Sequence, residues 1–154
     1  MNELELVNIE TISETPVVSL TNLLSKIYEE KVAELADDAF LNQKATRFIL
    51  SVLSKQEALT QNDLVRVTHM KGSTISVTIS KLEEKKMIYR EADSYDMRCV
   101  RVYLTEKGKE LCEKRNNILK KIEEIGKKNL TPKEIKEAVF VLETFLKNLL
   151  DNKK

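Results

Sequence analysis

Residues 91–108 read EADSYDMRCVRVYLTEKG, and the second half of this stretch alternates apolar and polar side chains. The apolar members of the alternation are Val100, Val102 and Leu104. A period of two residues is typical of a half-buried strand. The polar segment ahead of it carries Asp93, Asp96 and Arg98, and residues 87–90 offer a partner strand. The stretch therefore predicts a short β-hairpin with a charged tip.

The residues before the hairpin predict two short helices. Thr60 and Asp63 have the spacing of an acidic capping box, which indicates a helix beginning within LTQNDLVRV, residues 59–67. A connection at 68–71 leads to GSTISVTISKLEEK, residues 72–85, whose inward face would carry Ile75, Ile79 and Leu82. Two short helices joined by a brief turn are typical of a helix-turn-helix. A hairpin directly after them predicts a winged helix.

Four further helices flank this unit in the prediction. Thr15-Pro16 resembles a helix start, and residues 44–53 form a second helix with Phe48, Ile49 and Leu53 inward. Thr105 is placed to cap a long helix that ends within residues 126–129. The sequence TPKE, residues 131–134, is a capping box for the last helix. The predicted fold class is mainly α, with about six helices and one β-hairpin wing.

Composition supports one helical domain. The chain has 154 residues with 3 Gly, 2 Pro and 33% charged residues, which disfavours a many-stranded sandwich or barrel. We find no apolar run long enough for a membrane helix, and the acidic start MNELELVNIE is not a signal peptide. Cys99 and Cys112 do not make a disulfide or metal framework. These features predict a cytoplasmic, reduced protein.

Charge is distributed unevenly along the chain. Residues 1–43 hold 2 basic and 9 acidic residues, net −7, whereas residues 44–121 hold 17 basic and 10 acidic, net +7. Residues 122–154 hold 7 basic and 6 acidic, net +1. Such a basic middle suits a nucleic-acid partner, and it also fits a solvated helical surface.

The ordered motifs resemble the MarR family of bacterial transcription regulators over roughly residues 59–111. The matching pieces are Ser73-Thr74-Ile75-Ser76, Leu82-Glu83-Glu84-Lys85, the Asp93–Arg98 segment DSYDMR and the Val102–Gly108 segment VYLTEKG. Two positions depart from the family pattern. Lys86 stands where a glycine is usual, and Val77 stands where an arginine is common. If position 86 is left-handed, lysine there costs on the order of 1 kcal/mol.

The resemblance implies a sequence-specific regulator of transcription that binds double-stranded DNA as a homodimer. Residues 1–154 would be a single MarR-like domain, with residues 44–108 as the DNA-binding lobe. Residues 1–43 and 109–154 would supply the dimerisation helices. The expected regulator is a repressor that needs no cofactor and leaves DNA when a small phenolic or lipophilic effector binds. The sequence does not identify the effector-binding residues.

The candidate DNA contacts fall into three groups. With Ile75, Ile79 and Leu82 inward, the outer face of the second short helix, here called the reader helix, presents Ser73, Thr74, Ser76, Val77, Ser80 and Lys81. Candidate contacts to the DNA backbone are Thr60, Gln61, Asn62 and Lys71. In the wing, the resemblance places Arg98 in the minor groove with Asp96 holding its guanidinium, and Arg90 is a further candidate. Arg101 would contact phosphate or be solvated.

The outer face of the reader helix has no Arg, Asn or Gln, the residues that best discriminate guanine and adenine. Serine hydroxyls read bases ambiguously, and Val77 suits a thymine methyl. We therefore expect an A·T-rich, pseudo-palindromic operator that is read partly through groove shape.

The same residues are compatible with other functions. A winged helix that docks an acidic protein partner is an alternative, and so is a cysteine-based redox regulator. A metal sensor is disfavoured because His69 is the single histidine. An enzyme is disfavoured because there is no Gly-rich phosphate loop and no nucleophile–base pair.

Overall fold

The computed structural model describes residues 16–152, and within them the chain forms six helices and three short strands. The helices are α1 (Val17–Leu35), α2 (Lys44–Leu53), α3 (Gln61–Thr68), α4 (Gly72–Glu84), α5 (Glu106–Gly126) and α6 (Pro132–Asp151). The strands are β1 (Leu59–Thr60), β2 (Ile88–Ala92) and β3 (Val100–Leu104). Thr15 and the acidic N-terminal segment lie outside the described residues.

The three strands make one antiparallel sheet in the order β1-β3-β2. In the hairpin, Ile88 pairs with Leu104 and Ala92 with Val100. On the other side of β3, Leu59 pairs with Val102. The predicted hairpin is confirmed, and β1 is an addition because two residues with no alternation give no strand signal.

The core of the first compact unit, described over residues 16–119, lies between helices α2, α3 and α4 and the sheet. Its fully buried side chains include Ile49, Leu50, Leu53, Leu64, Ile75, Ile79, Leu82, Ile88 and Val102. The inward face predicted for residues 72–85 is therefore confirmed. Each of these apolar side chains gains about 1.5–3 kcal/mol from burial, so together they specify the lobe.

Three helix starts follow the predicted capping chemistry. The Thr60 hydroxyl accepts from the Asp63 N–H at 3.1 Å, and the Asp63 carboxylate accepts from the Thr60 N–H at 3.1 Å. Thr131 and Glu134 make the same reciprocal box at α6. The Thr105 hydroxyl accepts from the Gly108 N–H at 3.1 Å, which caps α5. Each cap satisfies amides that the first helical turn leaves without partners.

Two details of the predicted packing are wrong. Phe48 was expected to point inward from α2, but its side chain is 43% exposed. Val100 was expected to anchor the wing strand, yet it is 45% exposed. Only Val102 and Leu104 of the alternating set are buried.

The second compact unit, residues 120–154, is described to residue 152 and holds the end of α5 and all of α6. Gly126 ends α5, and Asn129 takes a left-handed conformation in the turn that follows. Helix α6 starts at the predicted capping box and carries an apolar stripe, but it buries none of its side chains. None of the helices in residues 16–152 is both long and apolar enough to cross a membrane.

Candidate nucleic-acid interface

Helix α4 has one face in the core and the opposite face open to solvent. The core face buries Ile75, Thr78, Ile79 and Leu82. The residues predicted for the reader surface are all exposed: Ser73, Thr74, Ser76, Val77, Ser80 and Lys81. The structure therefore collects these six predicted residues on one accessible helical surface with short side chains.

The connection before α4 is a three-residue turn, one residue shorter than predicted. The Thr68 hydroxyl donates to the Leu64 carbonyl at 2.7 Å, and His69 ends α3 in the left-handed region with φ 55°. Lys71 then stands at the N-cap of α4 with an exposed side chain. The turn places Lys71 directly before the exposed face of α4.

The N-terminus of α4 differs from that of α3 and α6. Those two helices begin with complete capping boxes, whereas no side chain from the described part of the chain caps the first turn of α4. Its first backbone N–H groups are oriented out of the helix with the positive end of the helix dipole. This arrangement suits an anionic group supplied from outside.

The residues predicted to contact the DNA backbone near α3 are not equally available. Thr60 uses its hydroxyl in the cap, donating to Asp63 Oδ2 at 2.7 Å. This hydrogen bond is the largest cause of the lowered pKa of Asp63. Gln61 is half-buried and Asn62 is exposed, and both lie in the first turn of α3. Gln61 and Asn62 therefore have freer side chains than Thr60.

At the wing tip, Asp96 makes a different contact from the one expected. Its Oδ1 accepts from the backbone N–H of Arg98 at 3.0 Å. Within residues 16–152 the Arg98 guanidinium forms no ion pair. The predicted contact between the Asp96 carboxylate and the Arg98 guanidinium is therefore absent. A carboxylate two residues upstream more readily closes a local turn through the backbone.

The ion pair of the wing is instead between Asp93 and Arg101. The Asp93 carboxylate accepts from the Arg101 Nε, and the Arg101 Nη1 donates to the Ala58 carbonyl at 2.8 Å. The bond from Arg101, with two backbone N–H groups, lowers the pKa of Asp93 to about 2. Arg101 is thus engaged by Asp93 and the Ala58 carbonyl, with about one-third of its side chain exposed. The eight-residue separation of the pair conceals it in the sequence.

Arg90, the third predicted wing residue, is also paired. Its guanidinium donates to the Glu83 carboxylate at the end of α4, and this hydrogen bond is the largest cause of the lowered pKa of Glu83. The pair is about one-third exposed on both sides. Arg90 is thus partly neutralised, which leaves Arg98 as the wing arginine with an unengaged guanidinium in the described chain.

The two cysteines have different surroundings. Cys112 is buried on α5 with its Sγ 3.7 Å from the Leu50 carbonyl, and burial raises the pKa of its thiol. Cys99 is half-buried in the wing. The raised pKa disfavours a reactive thiolate at Cys112.

A cleft of about 250 Å³ lies within the first unit, between α1, α2 and α5. Its lining residues are Tyr28, Arg47, Phe48, Ser51 and Arg115. Arg47 is 5% exposed, pairs with Glu29 and donates to the Leu41 carbonyl at 2.6 Å. The buried Nε of Arg115 has no partner in the described chain. Sequence periodicity does not locate this cleft because its residues come from three separate helices.

The comparisons with known proteins agree with this architecture. The sequence model of the MarR family matches residues 47–98. A MarR-family transcriptional regulator from Silicibacter pomeroyi superposes with a TM-score of 0.76 at 23% identity, covering 90% of this chain and 93% of that one. A search of curated protein sequences finds no significant match.

Two further solved structures have somewhat higher identity. Bordetella bronchiseptica BpsR is 27% identical with a TM-score of 0.67, over 82% of this chain and 98% of that one. S. aureus MepR bound to ethidium bromide is 27% identical with a TM-score of 0.55, over 89% and 99%. The family pattern covers the helix-turn-helix and most of the wing, and the fold extends over most of the chain. Residues 47–98 therefore match the MarR family of transcription regulators, and over most of its length the chain has the winged helix fold of solved structures of that family.

Proposed function

We propose that the protein is a homodimeric repressor that binds an A·T-rich pseudo-palindrome and is released by a small-molecule effector. The observation that carries the proposal is the exposed, short-chained face of α4, which lies in the same lobe as a wing with an unengaged Arg98. Helix α4 would enter the major groove, and Arg98 would enter the adjacent minor groove.

Phosphate contacts would fix the position of the lobe on DNA. The uncapped first turn of α4 offers backbone N–H groups, and Lys71 and Lys81 add exposed positive charges nearby. Asn62 and Gln61 would add contacts from the start of α3. These contacts carry no sequence information, so they would contribute affinity and salt dependence rather than specificity.

Base recognition would favour A·T pairs. Val77 is 55% exposed on the outer face of α4 and fits a thymine methyl, while the serines beside it read bases weakly. A narrow A·T minor groove concentrates negative potential and attracts an arginine such as Arg98. The expected operator is therefore A·T-rich both under α4 and at the flanking minor-groove positions.

The dimer is proposed from apolar surface that the described part of the chain leaves uncovered. On α6, eight apolar side chains are more than one-third exposed: Val139, Phe140, Val141, Leu142, Phe145, Leu146, Leu149 and Leu150. Helix α1 likewise exposes Val17, Val18, Leu20, Leu23 and Leu24. A second copy of the chain would cover such faces. Two lobes related by a two-fold axis would then reach half-sites roughly 34 Å apart.

The cleft between α1, α2 and α5 is the proposed effector site. Tyr28 and Phe48 offer aromatic surface, and the unpartnered Arg115 Nε favours an anionic group. BpsR, one of the similar structures, has its DNA binding regulated by 6-hydroxynicotinic acid, and MepR binds ethidium. We infer a small aromatic acid as the effector class for this chain.

The effector site is tested by titrating the protein with 6-hydroxynicotinic acid as a probe and measuring release of operator DNA. We expect Arg115→Leu to weaken release at least 10-fold, whereas Lys114→Leu removes the same charge from the neighbouring position without effect. Equal release by both variants would place the effector elsewhere.

The DNA-binding proposal is tested by selecting bound sequences from random duplexes. We expect an inverted repeat rich in A·T pairs, and a G·C-rich consensus would contradict the recognition argument. On the selected duplex, Arg98→Ala should weaken binding by at least about 10-fold at physiological salt without unfolding the protein. Lys133→Ala removes the same charge from α6 and should bind normally. If Arg98→Ala binds the selected duplex with unchanged affinity, the proposed minor-groove contact of Arg98 is wrong.

A protein-docking function has one observation in its favour. Tyr95 is 99% exposed and Met97 is 81% exposed at the wing tip, and exposed apolar side chains of this size also suit a protein partner. The salt dependence of duplex binding separates the two functions. A DNA reader loses affinity steeply between 50 and 200 mM salt in the manner of counterion release. A shallow dependence would favour the docking module.

A further inference from the structure

The wing tip is a loop that has no apolar anchor of its own. None of residues 93–99 is buried, so their conformation depends on hydrogen bonds. Backbone bonds join the Asp93 N–H to the Cys99 carbonyl and the Cys99 N–H to the Asp96 carbonyl, each at 2.8 Å. Asp96 adds contacts to the Arg98 N–H and the Cys99 thiol, and the other side-chain hydrogen bonds of the tip converge on Asp93.

Asp93 uses both carboxylate oxygens. Oδ1 accepts from the Tyr95 N–H at 2.8 Å and from the Asp96 N–H at 3.2 Å, and Oδ2 accepts from the Arg101 Nε. The Asp93 side chain is only 12% exposed although the tip around it is open. The carboxylate therefore links the turn at the start of the tip to strand β3.

Arg101 continues this link to the helix-turn-helix. Its Nη1 donates to the carbonyl of Ala58, a residue held in the left-handed region with φ 63°. Ala58 immediately precedes β1 and the Thr60–Asp63 cap of α3. The Asp93–Arg101 pair therefore spans from the wing tip to the chain segment that starts α3.

The Asp93–Arg101 pair differs from an ordinary surface ion pair in the further hydrogen bonds that each partner makes. A surface pair leaves both partners largely solvated and contributes little. Here each partner also bonds backbone groups from other segments: the tip amides for Asp93 and the Ala58 carbonyl for Arg101. A planar guanidinium holds its donors in a fixed fork that suits both contacts, and a lysine ammonium on a flexible stem does not reproduce that geometry.

We propose that Asp93 and Arg101 are positioning residues that hold the wing tip, and with it Arg98, in a fixed register relative to α4. The inference rests on the proposed entry of Arg98 into the minor groove. The pair would determine how strongly the protein distinguishes A·T from G·C at the wing positions, while the bases under α4 would be read independently of it.

The first measurement uses the DNA-free protein. Amide hydrogen exchange at Tyr95 and Asp96 should accelerate at least 10-fold in Arg101→Lys and Arg101→Gln, while core amides of α4 keep their protection. Arg90→Gln serves as the matched control because it removes an arginine from the partner strand without touching the Asp93–Arg101 pair. If the tip amides of Arg101→Gln exchange at the wild-type rate, the positioning role is wrong. If the tip amides of Arg101→Lys stay fully protected, the charge of residue 101 is sufficient and the guanidinium geometry is not required.

The second measurement uses the selected operator with its wing-contacted A·T pairs changed to G·C or to I·C. An I·C pair resembles G·C in the major groove but lacks the guanine amino group in the minor groove. The wild type should bind the I·C duplex nearly as well as A·T and the G·C duplex at least 10-fold more weakly. In Arg101→Lys the ratio of the affinity for I·C to that for G·C should fall to less than 3-fold. Base changes under α4 should weaken binding as much as they do in the wild type.

The two measurements separate the pair from the function on which it rests. In one outcome, tip exchange accelerates in Arg101→Lys, but Arg98→Ala and Arg101→Lys both bind all duplexes as the wild type does. The pair then orders the wing, and the proposed minor-groove role of Arg98 is wrong. If tip exchange accelerates and Arg98→Ala binds weakly while Arg101→Lys keeps the wild-type preference, the positioning proposal itself fails. Asp93→Asn keeps the Oδ1 acceptor but loses the ion pair, so it should give an intermediate exchange rate.

Discussion

The winged-helix lobe and helix α6 are both amphipathic, but they differ in where their apolar faces lie. In the lobe, residues 44–108, α4 buries Ile75, Ile79 and Leu82 against neighbouring helices and the sheet. Helix α6 carries a comparable stripe and buries none of it. Burial of an apolar side chain supplies most of the stabilisation of a helix that is marginal alone. The lobe thus buries its apolar face within one chain, whereas the apolar stripe of α6 stays exposed in the described residues.

This difference separates two kinds of substitution. Changes in the lobe should act on the folding of each chain, while changes in the α6 stripe should act on assembly. The experiments below test that separation, beginning with the largest expected effect.

The largest effect is expected from the double substitution Leu142→Glu and Leu146→Glu in α6. Both side chains are exposed in the single chain, at 41% and 57%. In a dimer they would be buried, and the charges would raise the dimer dissociation constant by at least about 1000-fold. Sedimentation velocity at micromolar concentration measures this change directly.

The matched control is Lys136→Glu, which adds an exposed acid to the same helix without altering the apolar stripe. It should leave the wild-type assembly intact. A wild-type protein that sediments as a monomer would refute the dimer, and a double variant that remains dimeric would assign the interface to another surface.

The next effect is expected inside the lobe, at Gly108. A Cβ at this position would lie 2.0 Å from the Met87 carbonyl oxygen and 3.1 Å from Leu104 Cδ2. The start of α5 therefore packs against the hairpin base with no room for a methyl group. Gly108→Ala should lower the free energy of unfolding by about 3 kcal/mol, measured by urea denaturation at fixed protein concentration.

Gly126→Ala provides the contrast, since a Cβ there meets nothing within 4 Å. That variant should be neutral or stabilised by roughly 0.5–1 kcal/mol. Equal destabilisation by the two alanines would mean that close packing at Gly108 is not the cause.

A smaller effect is expected at Thr60, where the lobe depends on a cap. Thr60→Ala removes the hydroxyl that bonds Asp63, so it should cost about 1 kcal/mol of stability. Thr60→Ser keeps the hydroxyl and should retain most of that stability in the same urea titration. Loss of DNA affinity in the serine variant as well would indicate that Thr60 also serves the interface.

The sequence predicted the elements of the lobe well because their signals are local. Capping boxes, the apolar spacing of α4 and the alternation of β3 each involve residues a few positions apart. The failures share a different origin. The Asp93–Arg101 pair, the cleft around Arg115 and the exposure of Phe48 depend on contacts between segments far apart in sequence. The α6 stripe stays exposed in the described part of the chain, so its spacing predicts an apolar face but does not specify what covers that face.

The smallest effect is expected at Lys86, where the sequence departs from the family's usual glycine. Lys86 closes the end of α4 with φ 58°, and the N–H of Met87 donates to the Leu82 carbonyl at 2.9 Å. A glycine adopts this left-handed conformation without the cost that a Cβ imposes. Lys86→Gly should therefore raise the free energy of unfolding by about 0.5–1 kcal/mol. Lys85→Gly is the control, because Lys85 has φ −84° and a glycine there only adds freedom to the unfolded chain. A Lys86 variant no more stable than the wild type would show that the surrounding turn already accommodates lysine without strain.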